Sequence, residues 1–206
     1  MRNPYFKTPP VVQNLIIANC VLYLAVRLIP AVNHFCAEYL QLWWTDAFNA
    51  PEFHSYQFVT YMFLHAGFGH LFSNMFALWM FGRTLEYELG SQRFLTYYMV
   101  CGIGAALIQI GVASLFGESL TLLGASGAVF GLLLAFGLMH PNNVIMLLIP
   151  PMPIKAKWFV VFYGLLEFFF GVSGVASGVA HFAHLGGMLW GLALLLWWKK
   201  QRKIYF

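Results

Sequence analysis

The sequence predicts an all-α, polytopic membrane protein, a bundle of six transmembrane helices read as a single domain over residues 1–206. Three observations carry this reading. The chain is 61% hydrophobic and only 9% charged, whereas a soluble domain carries about 25% charged residues. So few charges cannot cover a water-facing surface of this size. Six apolar stretches come close to the roughly 20 residues that a membrane crossing needs. The basic residues alternate along the chain with those stretches, as the loops of a threaded membrane protein do.

The first stretch, 11–30, follows a short polar tail with Arg2 and Lys7. It is long for a signal-peptide core, and no small-x-small cleavage site precedes Pro30, so it reads as a transmembrane helix. The second stretch, 65–82, opens at His65. The third, 94–116, closes at Phe116-Gly117-Glu118, and the fourth, 123–140, at His140-Pro141. Pro150, Pro151 and Pro153 then exclude a helix interior. Residues 142–157 are therefore expected to be a loop, with 144–149 in the membrane interface. The fifth and sixth stretches are 157–172 and 178–198.

Loop charges set the expected orientation. Arg2 and Lys7, then Arg83 and Arg93, then Lys155 and Lys157, then Lys199, Lys200, Arg202 and Lys203 fall in alternate segments, ten of the eleven basic residues. The intervening loops hold Glu38, Asp46, Glu52 and Glu118 and no Lys or Arg. The exception, Arg27, lies at a helix end where a long side chain can snorkel. The positive-inside rule gives a multi-pass protein of the cell (inner) membrane with both termini cytoplasmic. A net charge of +4 is no nucleic-acid footprint, and nucleic acid is not an expected partner. Cys20, Cys36 and Cys101 form no CxxC pair, so no redox or thiolate metal motif is present.

The outer loop 31–64 carries Phe35, Tyr39, Trp43, Trp44, Phe48, Phe53, Tyr56 and Phe58. A solvated loop would be polar. This composition predicts an amphipathic structure lying in the outer interface.

Polar groups inside a membrane are costly, and each marks a candidate site. Stretches two, four and six run in the same direction, from outside to inside. His70 and Asn74 are four residues apart on stretch two, hence on one helical face. Ser126 begins stretch four after Gly124-Ala125, and His184 begins stretch six. At about 1.5 Å per residue these four share one slab near the outer surface. A serine needs a base within hydrogen-bond reach, and His184 is the candidate. His70, Asn74 and the Ser126 backbone N–H are candidate donors for an oxyanion. No carboxylate lies in that slab of stretches two, four or six, so a Ser-His dyad is expected rather than a triad. Gly127 with Gly131, and Gly187 with Gly191, are small-xxx-small pairs that allow close helix approach.

These residues resemble three signatures of the rhomboid intramembrane serine proteases. They are His70-Leu-Phe-Ser-Asn74, Gly124-Ala125-Ser126-Gly127 with Ala128-Val129-Phe130-Gly131, and Ala180-His181-Phe182-Ala183-His184-Leu185-Gly186-Gly187. The resemblance covers essentially the whole chain, as the family's six-helix bacterial core. It implies Ser126 as nucleophile, His184 as general base, and an oxyanion hole of His70, Asn74 and Ser126. Phe130 would pack on the His184 ring, and Gly124, Gly127 and Gly187 would support the site. The implied substrate is a transmembrane helix of another membrane protein, cut in the lipid bilayer without metal or cofactor. Stretch five would be a lateral gate. The chain departs from the family in the outer loop, where Tyr56-Gln57 replaces a common Trp-Arg pair. His65 is expected to be structural. His181 is expected either to make an interhelical hydrogen bond or to stand behind the reacting residues, and Glu167, which faces the bundle or lies near the outer end of stretch five, is unexplained.

The alternative is a metal-binding or metal-transporting membrane protein that gathers His65, His70, His181 and His184. Against it, no carboxylate is expected to join these histidines, and a Gly-flanked serine has no part in it.

Overall fold

Pro10 opens the first helix, because the N–H it lacks would be unpaired at that position anyway. The computed structural model describes residues 7–45, 50–146, 151–174, 180–201 and 204. In it α1 is Pro10–Leu28. The N–H groups of Val11 and Val12 donate to the Glu86 carboxylate at 3.0 and 2.8 Å, and the Ser91 hydroxyl donates to it at 2.6 Å. A buried carboxylate at the positive end of a helix dipole is favourable. It also fixes α1 to the distant segment that carries Glu86.

The long segment between the first two stretches is a folded cap. After α2 (Pro30–Phe35) comes a π turn at Cys36–Leu40, then β1 (Leu42–Trp44), α3 (Gln57–Thr60) and a 3-10 turn at Tyr61–Phe63. Phe35, Tyr39 and Tyr56 are exposed. Gln57 is fully buried. Its amide donates to the carbonyls of Tyr39 and Glu52 at 3.2 and 3.3 Å, and its Oε1 accepts from Trp43 N at 3.3 Å. The departure at Tyr56-Gln57 therefore leaves the loop anchored: one amide ties three backbone segments together. Gln57→Ala is expected to lower stability by about 2 kcal/mol, because it removes three part-buried hydrogen bonds and the packing of a fully buried side chain. Equilibrium unfolding in detergent measures this.

The second stretch forms α4 (Phe68–Ala77), a π turn (Leu78–Gly82) and α5 (Arg83–Leu89) without interruption. This corrects the expected 65–82. The start moves inward because Leu64 and Gly67 are extended, which leaves His65 in the connector. The end moves to Gly90, whose φ of 78° breaks the helix. Then follow α6 (Ser91–Phe116), β2 (Leu120–Leu122), α7 (Ser126–Met139), β3 (Val144–Met146), β4 (Pro153–Lys155), α8 (Ala156–Ser173) and α9 (His181–Lys200). Strand β1 pairs antiparallel with β2, Trp43 opposite Thr121, and β3 pairs antiparallel with β4. The all-α expectation thus gives way at two loops, where short ribbons pair backbone groups that no helix satisfies. Phe48 and Asp46 of the outer loop, 147–149 of the expected interfacial segment, and 178–179 at the start of the sixth stretch lie outside the described residues.

Helices α1, α6 and α8 are long and apolar enough to cross a membrane, and α7 is apolar but shorter. Helix α6 forms the centre, with Phe94, Tyr97, Tyr98, Cys101, Ala105 and Ala106 fully buried. Helices α7 and α9 pack on it. Tyr97 donates to the Gly131 carbonyl and Tyr61 to the Gly102 carbonyl, both at 2.8 Å. On α8, Trp158, Phe162, Leu165 and Phe169 are more than half exposed. Their three- and four-residue spacing makes one apolar stripe, which suits a lipid solvent. The other side of α8 buries Ala156, Val160 and Glu167.

Candidate active site

Helix α7 begins abruptly. Gly124 has φ of +116°, a conformation natural to glycine. A Cβ there would lie 2.7 Å from His70 Nε2. The Gly124 N–H donates to the Tyr61 carbonyl at 2.9 Å, which pins the turn to the cap. Ser126 is therefore the first residue of α7. The first N–H groups of a helix lack intrahelical acceptors, so the Ser126 hydroxyl sits beside free backbone donors.

Helix α9 begins at His181, which places His184 one turn in. At Gly187 a Cβ would overlap the Gly127 carbonyl oxygen, and at Gly131 it would overlap Cys101 Sγ. Helices α7 and α9 therefore touch backbone to backbone. In consequence His184 Nε2 lies 2.8 Å from Ser126 Oγ. Phe130, one turn below Ser126, stacks flat on the His184 ring with centroids 4.3 Å apart and planes 5° apart.

Behind His184 the structure corrects the sequence reading. Glu167 Oε2 lies 2.9 Å from His184 Nδ1 and 2.7 Å from His181 Nδ1, and all three residues are buried. A carboxylate does join the histidines. The expectation failed because it compared only the three stretches that run in one direction, and Glu167 arrives from α8, which runs the other way.

His70 and Asn74 stand across the cleft on α4. Asn74 Nδ2 donates to the His70 carbonyl at 2.8 Å, leaving its second amide hydrogen available. His70 Nδ1 has a long 3.5 Å contact with Ala66 N, and its Nε2 faces Gly124. The His65 ring packs edge-on against His70 with centroids 5.0 Å apart. His65 therefore supports His70 from outside the cleft.

Ser126, His184, His70 and Asn74 line one cavity of about 850 Å³. Gln109 and Thr121 add polar atoms to it, while Phe159, Tyr163, Val129 and Leu133 form apolar walls. Sequence reasoning missed Gln109, whose Oε1 accepts from Ala183 N at 2.9 Å and holds the start of α9. Its signal was available: a lone Gln inside an apolar span is itself a site marker.

One nitrogen each of His181 and His184 and a carboxylate oxygen of Glu167 lie within 4.8 Å of one another, a donor set zinc accepts. The two N–O separations of 2.7 and 2.9 Å are hydrogen-bond lengths. Ligands on a tetrahedral zinc stand about 3.4 Å apart. Neither His65 nor His70 belongs to this set. The arrangement fits shared protons rather than a metal, and the four-histidine cluster of the alternative reading is not assembled.

A model of the rhomboid domain matches residues 52–200, well over half of the chain. The chain is 34% identical over 139 residues to rhomboid protein 1, mitochondrial, of Saccharomyces cerevisiae, covering 63% of this chain and 38% of that protein. It is 33% identical over 136 residues to the rhomboid protease GluP of Bacillus subtilis, covering 66% of this chain and 24% of that protein. With the rhomboid-family protein YdcA of the same bacterium it shares 30% identity over 197 residues, 86% of this chain and 94% of that one. The chain thus spans well under half the length of several curated relatives and nearly all of another. A helical bundle with membrane-crossing helices, the matched domain and these relatives lead to one conclusion: the chain belongs to the rhomboid family.

Proposed function

We propose that this protein is an intramembrane serine endopeptidase that hydrolyses peptide bonds within or next to transmembrane helices, with Ser126 and His184 as its proton-exchanging pair. The observation that carries this is the 2.8 Å contact between His184 Nε2 and Ser126 Oγ at the wall of a cavity in a membrane protein. Ser126 Oγ attacks the scissile carbonyl carbon while its proton passes to His184 Nε2. The carbonyl oxygen becomes an oxyanion, received by the Ser126 backbone N–H, the Asn74 amide and His70 Nε2. The C–N bond then breaks as His184 returns the proton to the leaving amine. Water, deprotonated by His184, hydrolyses the acyl-enzyme and restores both residues.

Phe130 keeps the His184 ring in the plane that this exchange needs. Substrate is a transmembrane helix that enters from the bilayer between α8 and the segment formed by α4 and its π turn, the side on which Met80, Phe81, Phe159 and Tyr163 line the cavity. Both termini face the cytoplasm of the cell (inner) membrane, as the charge alternation requires. No metal or cofactor takes part.

A fluorophosphonate probe tests the reading on the purified protein in detergent. Wild-type protein is expected to label at Ser126 with or without a chelator, and Ser126→Ala to leave no label. Persistent labelling of the alanine variant, or labelling and turnover that require zinc, refutes the assignment.

A further inference from the structure

The Glu167 carboxylate is unused in the two-residue chemistry above, yet it is buried and touches the base. A carboxylate oxygen can only accept hydrogen bonds. Glu167 Oε2 faces two imidazole Nδ1 atoms, His184 at 2.9 Å and His181 at 2.7 Å. Both nitrogens must then carry their hydrogens. For His184 this has a direct chemical consequence: with the proton held on Nδ1, Nε2 presents a lone pair, and Nε2 is the atom 2.8 Å from Ser126 Oγ. The contact selects the one neutral tautomer that can accept the serine proton.

A second consequence is electrostatic. When His184 takes that proton it becomes a cation among buried groups, where an unpaired charge is costly. Glu167 is then already in contact with it. The carboxylate is itself held from two sides. It sits on the inward face of α8, in register with Val160 one face-repeat away, and His181 grips the same oxygen from the first residue of α9. His181 Nδ1 and His184 Nδ1 thus converge on one atom from one turn of one helix. His181 fixes where the carboxylate is, and the carboxylate fixes which way His184 points.

We propose that Glu167, locked by His181, is a positioning residue for His184, making the site a Ser126–His184–Glu167 triad with a second histidine as its brace. This deepens the reading of Ser126 and His184 as the reacting pair and rests on it. Neither Glu167 nor His181 lines the cavity, so substrate binding does not involve them. Their loss should appear in kcat and not in KM.

The test uses the full chain in liposomes with a model transmembrane substrate. Glu167→Gln keeps size and shape, but its amide can offer hydrogens to Nδ1 and favour the wrong tautomer. It is expected to lower kcat by about 100-fold or more, as loss of the orienting acid does in other serine proteases, with KM changed less than about threefold. Glu167→Asp retains the charge and is expected to recover at least about tenfold of that loss. His181→Asn, which leaves the Glu167–His184 contact, is expected to lose about tenfold. Thermal midpoints are recorded for each variant, so that a misfolded Gln variant is recognised and the Asp and Asn variants carry the test.

Turnover within about threefold of wild type in folded Glu167→Gln, or an Asp variant no better than Gln, overturns the proposal. Ser126→Ala run in parallel separates the two claims. If it is inactive while Glu167→Gln is fully active, the reacting pair stands and the positioning role falls. If Ser126→Ala still cleaves, the pair itself is wrong.

Discussion

Cleavage of a transmembrane substrate is expected to fall by about 10⁴-fold or more in His184→Ala, with the protein still folded. The magnitude follows from the chemistry: a serine hydroxyl without a base in contact is a weak nucleophile, and removing either member of a nucleophile–base pair costs nearly as much as removing both. The structural cost is smaller. The variant loses the Phe130 stack and leaves Glu167 with His181 as partner, a change of about 1–3 kcal/mol. Turnover in liposomes and a thermal melt in detergent separate the two effects. Wild-type-like turnover refutes the base assignment. Probe labelling of Ser126 should also collapse, since acylation of the serine needs the same proton transfer.

Gly187→Ala is expected to be the most damaging change of a single methyl group. The added Cβ falls on the Gly127 carbonyl oxygen, with the Gly127 carbonyl carbon 2.7 Å away. Both partners are backbone, so no side chain can swing aside, and the helices must separate by on the order of 1 Å to restore contact distance. Overpacking of this kind costs about 3 kcal/mol or more. It also moves His184 away from Ser126, where a displacement of about 1 Å costs on the order of 100-fold in rate. A melting profile and a cleavage assay on the same sample measure both. Gly111→Ala is the control: on α6 a Cβ at Gly111 meets nothing within 4 Å, so better helix propensity predicts unchanged or slightly raised stability.

These two cases mark how far the chain could be read without its fold. The apolar stretches were legible because lipid demands long apolar runs, and α1, α6 and α8 begin and end within three residues of their expected limits. The second stretch was misplaced at both ends. Extended backbone at Leu64 and Gly67, and helix continuation to the positive φ of Gly90, leave little trace in hydropathy. The ribbon between β1 and β2 was illegible, since it joins residues about 78 positions apart (Leu42 and Leu122 differ by 80, Trp44 and Leu120 by 76). The anchoring role of Gln57 was hidden for the same reason, because its partners are backbone groups that any residues could supply.

By itself the sequence pointed to the solvent and the family, and to polar residues at matching positions along their helices. Lipid excludes charge, threading alternates basic loops, and helical rise converts residue number into depth. That depth rule extends to Glu167, which lies six residues before the end of α8 (167 to 173), about 9 Å from it. Helix α8 runs against its neighbours, so this is the same end at which Ser126 and His184 begin theirs.

Only the tertiary structure decided azimuth. Depth places a residue in a slab but does not say which way it points. Rotation of each helix about its axis depends on contacts with the others, such as Gly187 on Gly127. Those contacts turned Glu167 inward onto two histidines, and turned a depth coincidence of serine and histidine into a 2.8 Å contact.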